Sequence, residues 1–257
     1  MKKLIAALAT VAAFSAQAAE TLTVAATAVP HAELLEFVKP QLAEQGVELN
    51  VKVFTDYVQP NIQVAEKRLD ANFFQHQPYL DEFNKGKGTD LVSVAGVHIE
   101  PFGAYSSKVK SLDELPNGAT VVIPNDATNG GRALLLLAEN GVFKLRPGAD
   151  HRATVADIVE NPKRLRIVEL EAASIARSLQ DVDAGAITGN YAVPAGLNPL
   201  RDALARETEQ SVYTVLVVVR RGDQDKPWAQ RLARGYAHPE VKAFVEATFG
   251  GAVISGA

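Results

Sequence analysis

The chain has 257 residues, 47% hydrophobic and 22% charged, with a formal net charge of −4 and no cysteine. These fractions belong to a soluble globular protein of one large or two ordinary domains, and they exclude disorder, collagen and coiled coil. Without cysteine there is no disulfide scaffold, thiolate metal site, cysteine nucleophile or lipidation through Cys, and the mild negative charge argues against nucleic acid or anionic lipid as general partners.

Met1-Lys2-Lys3 is a positive start, residues 4–14 are an apolar run, and Ala16-Gln17-Ala18 has the small-x-small form of a cleavage site. Residues 1–18 therefore read as a signal peptide, with an apolar run too short to span a bilayer. Strands are then expected over 21–27, 49–54, 71–76, 91–99 and 103–106. They alternate with helices over 31–45, which Pro40 should bend, over 62–69, and with a helical turn over 79–84.

A second unit begins near Ser111 with a short capped helix over 111–115 and a buried strand over 119–123. A polar loop over 124–131 leads into a helix over 132–139, stopped by Asn140-Gly141. Helix over 155–160, strand over 165–170, helix over 175–181 and strand over 182–188 follow. The run 213–220 reads as a strand, and a closing helix runs from Pro227, a favoured first helical position, through Phe249. This order predicts an α/β chain with mixed, mainly parallel sheets in two lobes. The lobes are 19–106 plus 220–257, and 107–219, joined without a flexible linker by extended crossings at 101–107 and 216–221. Ligands of such sheets bind at the carboxyl ends of the strands, which places a cleft between the lobes.

Enzyme signatures are missing: there is no G-x-S-x-G, H-E-x-x-H, G-x-x-x-x-G-K-[ST] or G-x-G-x-x-G, and the chain reads as a non-enzyme. A metal site is the alternative, built from His76, His98 and Glu100 with His31. No close H-x-H or H-x-x-x-H pair supports it, so no metal and no cofactor are assigned. In Asn72-Phe73-Phe74-Gln75-His76-Gln77-Pro78-Tyr79, strand alternation puts Asn72, Phe74 and His76 on one face, and Tyr79 stands where strand gives way to helix. Phe, His and Tyr together form a slot for an apolar, polarisable group. In the loop Pro124 to Arg132, the free N–H groups of a helix start attract an anion, and Arg132 can hold a carboxylate through two parallel bonds. Asn190, after Thr188-Gly189, is a polar group at a strand end, placed to accept from an ammonium.

Several stretches carry a resemblance: Val29-Pro30-His31-Ala32-Glu33, Phe54 to Asn61, Asn72 to His76, Val97-His98-Ile99-Glu100-Pro101, Ile123-Pro124-Asn125-Asp126, Gly131-Arg132-Ala133-Leu134 and Gly189-Asn190-Tyr191-Ala192. Over nearly its whole length the chain resembles the NlpA-type substrate-binding proteins of methionine ABC importers. The resemblance implies a two-lobed periplasmic-binding-protein fold of type II that closes on a free amino acid and delivers it to a membrane permease. Carried over, Arg132 binds the carboxylate, Asn190 the amino or carboxylate group, and Tyr57, Phe74, His76, Tyr79 and His98 line the side-chain pocket with Asn129 nearby. The chain departs from its relatives in two ways. It has no lipobox cysteine, so it is expected free in the periplasm as a monomer. Relatives also carry an asparagine near Tyr213, at a position read here as Thr214, whose hydroxyl is shorter.

Overall fold

The structure is a computed structural model that describes residues 20–208 and 211–256. The expected signal peptide lies outside the described residues. In chain order the elements begin with β1 (Glu20–Ala26), α1 (Glu33–Glu44), β2 (Val47–Val53), α2 (Gln59–Ala65), β3 (Ala71–His76), α3 (Gln77–Lys87) and β4 (Leu91–Ile99). Next are β5 (Gly103–Tyr105), β6 (Thr120–Pro124), α4 (Asn129–Glu139), β7 (Lys144–Leu145), β8 (Ile158–Glu160), β9 (Arg166–Leu170), α5 (Ala172–Ser178), β10 (Ala184–Ile187), α6 (Gly189–Ala192) and β11 (Ala205–Arg206). The chain finishes with β12 (Thr214–Arg220), α7 (Pro227–Gly235), α8 (Pro239–Phe249) and β13 (Ile254–Ser255).

Two mixed sheets carry the fold. The first runs β13-β4-β12-β3-β1-β2 and the second β11-β5-β10-β6-β9. In the first, β1 pairs in parallel with β2 and β3, while β12 lies antiparallel between β3 and β4. In the second, β6 is parallel to β9 and β10, while β5 is antiparallel to β10 and β11. Each sheet therefore has a parallel half, fed by helical crossovers, and an antiparallel half made where the chain passes between sheets.

Apolar periodicity decides which helix faces are covered. Leu34, Leu35, Val38 and Leu42 of α1 are fully buried against the first sheet, together with Trp228 and Leu232 of α7 and Val241 and Val245 of α8. Pro40 falls on the exposed face of α1, and the helix continues through it to Glu44. Leu134 and Leu137 of α4 pack with Ile123, Phe102 and Phe143 in a second core. Burial of this kind stabilises by about 1.5–3 kcal/mol per large aliphatic or aromatic side chain.

Three local expectations are corrected. Only Val155–Asp157 of the run 155–160 is helical, a single turn closed by a Thr154–Asp157 capping box, and Ile158–Glu160 pairs with Lys144–Leu145 instead. The closing helix is two helices, because Pro239 cannot continue the first and holds His238 extended, at φ −70 and ψ 135. The return crossing is not at 216–221, which lies inside β12 and is bonded on both sides. The chain is still paired in the second sheet at Arg206 and is paired in the first from Thr214. The outward passage is short: Ile99 still pairs in the first sheet and Gly103 already pairs in the second.

Candidate functional site

The two sheets face each other across a cavity lined by Tyr57, Phe74, Gln75, His76, Tyr79, Glu100, Asn129, Arg132, Thr188, Gly189, Asn190, Tyr213 and Val215. β3 supplies its floor. Alternation on this wholly buried strand turns Phe73 into the core beside His31 and Tyr236, and Phe74 the other way, against Tyr57 and Tyr79. The ring centroids of Tyr57 and Tyr79 each lie 5.8 Å from that of Phe74. Tyr79 OH donates to the Tyr57 carbonyl at 2.8 Å, which fixes the ring cluster in place. Gln75 is locked by amides: its Nε2 donates to Asn61 Oδ1 at 2.6 Å and to Asn72 Oδ1 at 2.8 Å.

His76 ends β3 and caps α3. Its Nδ1 accepts from the Tyr79 N–H at 3.2 Å, so the ring proton sits on Nε2 and is donated to Asn129 Oδ1 at 2.9 Å. Burial lowers this imidazole from 6.5 to about 3, aided by the nearby charge of Arg132. Other bonds also join the two sides. Tyr57 OH donates to Asn190 Oδ1 at 2.6 Å and lies 2.8 Å from Thr188 Oγ1, and Tyr191 OH donates to the Thr55 carbonyl at 2.7 Å.

Arg132 is buried in the first turn of α4. Its Nε and Nη2 donate to Glu207 Oε1 and Oε2, both at 2.6 Å, and Nη2 also reaches the Glu100 carbonyl at 3.2 Å. The guanidinium lies 4.1 Å from the centroid of the Tyr213 ring and 4.9 Å from that of Phe102. The expected two-bond grip on an outside carboxylate is thus corrected, because an internal carboxylate already occupies that edge. The helix start is likewise filled from within: Asp126 Oδ1 accepts from the Asn129 N–H at 2.8 Å and the Thr128 N–H at 3.2 Å. Gly130 and Gly131 are needed for close approach, since a Cβ at either would collide with the carbonyl oxygen of Pro124 or of His151.

Glu100 Oε1 accepts from His98 Nε2 at 2.8 Å. His31 Nε2 lies 3.0 Å from the same oxygen, close enough for an ion pair although off the line of a good hydrogen bond, and His31 Nδ1 meets Thr27 Oγ1 at 2.7 Å. Burial alone would raise the Glu100 carboxyl, but attraction to His31 and the hydrogen bond from His98 hold it well below the usual carboxylate range. These three side chains are close enough to share a metal ion. Glu100 already bridges the two imidazoles, which suits a hydrogen-bonded support. His76 is not among them.

Residues 22–257 match the NlpA lipoprotein family. The chain belongs to the NlpA lipoprotein family. A D-methionine-binding lipoprotein MetQ of Escherichia coli K12 is 41% identical over 213 residues, 82% of this chain and 79% of that protein. The structure of a nutrient-binding protein from Burkholderia cenocepacia bound to methionine is 45% identical, with a TM-score of 0.89 over 92% of this chain and all of that one. A periplasmic substrate-binding protein of an ABC transporter from Coxiella burnetii is 40% identical, with a TM-score of 0.87 over 91% of this chain and all of that one.

Within this NlpA fold, seven of the nine expected site residues stand on the cavity wall: Tyr57, Phe74, His76, Tyr79, Asn129, Arg132 and Asn190. His98 and Thr214 do not. His98 packs with His31 and Phe73 behind Glu100, on the core side of the sheet. Thr214 pairs with Ile99 and lays its methyl over Gly96, while its neighbours Tyr213 and Val215 reach the cavity. The wall also holds Gln75, Glu100, Thr188 and Gly189, and Glu207 stands just behind Arg132. Strand alternation from Thr214 was the available signal for Val215. For Glu207 no local signal exists, because its partner lies 75 residues away.

Proposed function

We propose that this chain is the periplasmic solute-binding protein of an ABC importer, closing on free L-methionine or a close analogue and delivering it to a membrane permease. The observation that carries this reading is one cavity with a ring cluster around Phe74 of β3 on one side and the buried guanidinium of Arg132, on α4, on the other. The amino acid's carboxylate lies at Arg132 Nη1, the guanidinium nitrogen that Glu207 leaves open, and its polar end is also within reach of Asn190. Its thioether lies among Tyr57, Phe74 and Tyr79. A charge-assisted bond contributes about 1.5–3 kcal/mol and each sulfur–aromatic contact about 0.3–1.5 kcal/mol. Family membership supports the reading, as do relatives named for methionine binding and for ABC transport.

On this reading the lobes are built on the two sheets and hinge where the chain passes between them, as it does at 100–102. The protein works as an exported monomer without a lipid anchor or cofactor and catalyses no reaction. Among the described residues no helix is long and apolar enough to cross a membrane.

Titration calorimetry on refolded, ligand-stripped protein tests this. One methionine bound per chain is expected, with L and D isomers compared. Heat with another amino acid and none with either methionine would overturn the assignment.

A further inference from the structure

A guanidinium has five N–H bonds, and their use here can be counted. Nε and one N–H of Nη2 go to Glu207, and the other N–H of Nη2 goes to the Glu100 carbonyl. Nη1 has only a long 3.5 Å contact with Asn129 Oδ1. Glu207 is itself held, since its Oε2 also accepts from the Phe102 N–H and from Ser211 Oγ, each at 3.3 Å. Arg132 and Glu207 are both largely buried, with side-chain exposures of 5% and 14%.

The charge balance follows. The formally charged side chains on the cavity wall are Arg132 and Glu100. Glu207 cancels the first from behind with a bidentate pair, and Glu100 keeps its own carboxylate against the two imidazoles. A ligand therefore meets a neutralised arginine that offers one nitrogen, together with a carboxylate. That edge can donate to a carbonyl oxygen nearly as well as to a carboxylate.

Resting on the amino-acid reading above, we propose that Glu207 is a positioning residue that pre-neutralises the carboxylate subsite, so that the cleft accepts amino acids whose carboxyl group is blocked, as amides or esters, alongside free ones. The fork that would make a free carboxylate obligatory is occupied by the protein itself. Specificity then rests on the ammonium and the side chain.

The test titrates L-methionine and L-methioninamide into ligand-stripped protein near pH 6.5, where the amide's amino group is charged. The wild-type chain is expected to prefer methionine by less than about tenfold, whereas a site built around a free carboxylate would reject the amide by about 1,000-fold or more. Glu207→Gln leaves the guanidinium charged and unpaired but still stacked on Tyr213, and should raise the preference for methionine about tenfold or more. Glu207→Asp keeps the charge and should retain the wild-type ratio, a distinction that a purely structural role would not produce. A wild-type preference above about 1,000-fold, or a ratio unmoved by Glu207→Gln, overturns the proposal while leaving methionine binding intact. Should the Gln variant fail to fold, the wild-type ratio decides alone. Failure of the wild-type chain to bind either compound overturns the amino-acid reading and the proposal with it.

Discussion

On the side of the first sheet the cavity is walled by rings whose neighbours are again rings: Tyr57, Phe74 and Tyr79, with Phe83 behind them. On the side of the second sheet stand Asn129, Arg132, Thr188 and Asn190, and almost every polar atom there has a partner fixed before any ligand arrives. The first wall is held by packing, which falls off gradually as atoms are removed. The second is held by directional bonds, and losing one strands a buried charge or dipole. Truncations in the ring wall should therefore act on the fold and the pocket together, whereas changes in the polar wall should act mainly on what the pocket binds.

Phe74→Ala is expected to show the largest effect, a loss of about 3–5 kcal/mol of unfolding free energy, read by denaturant titration. A loss below about 1 kcal/mol would mean that the rings do not support one another. Arg132→Ala should weaken methionine by about 2–5 kcal/mol in calorimetry, and unchanged affinity would move the carboxylate site elsewhere. Gly131→Ala forces α4 away from the His151 carbonyl and should cost about 1–3 kcal/mol of stability, tying the polar wall to one backbone contact.

His76 joins the two walls, and its effect depends on pH. In this structure burial, with the charges of Arg132 and His151, lowers it from 6.5 to about 3, while the Asn129 bond and Glu100 act the other way. A cleft that opens returns it toward its ordinary value, so closure excludes a proton that the open form takes up below pH 6.5. Closure is favoured in full above that pH and weakens as pH falls toward 3. Methionine affinity should fall about tenfold between pH 7.5 and 5.5, and His76→Gln should flatten the profile; an equally steep profile in that variant would assign the proton elsewhere. Least of all, Arg152→Ala breaks a solvent-exposed pair with Asp150 and should alter neither stability nor affinity measurably.

How much of this was legible depended on distance along the chain. β3 and β4 were read to the residue because their apolar runs end at a proline-headed helix and at Glu100-Pro101. The break at Pro239 was equally local, but the helix-forming, amphipathic residues on either side masked it. Seven pocket residues were found, most of them carried by family motifs. His98 was misplaced because a strand residue's position does not say which way the sheet will face it. Thr214 was misplaced by a single residue, enough on a strand to exchange one face for the other. The pair of Arg132 with Glu207 had no sequence signature, since only the passage between the sheets brings them together.

The position of β12 bears on how the molecule is made. A ribosome completes β1 to β4 long before it reaches residue 214, yet the centre of that sheet, between β3 and β4, belongs to β12. The second sheet draws all its strands from one continuous stretch, 103–206, and can assemble without waiting. The earlier-synthesised half is therefore the later one to finish, its ladder open down the middle until nearly the whole polypeptide has emerged.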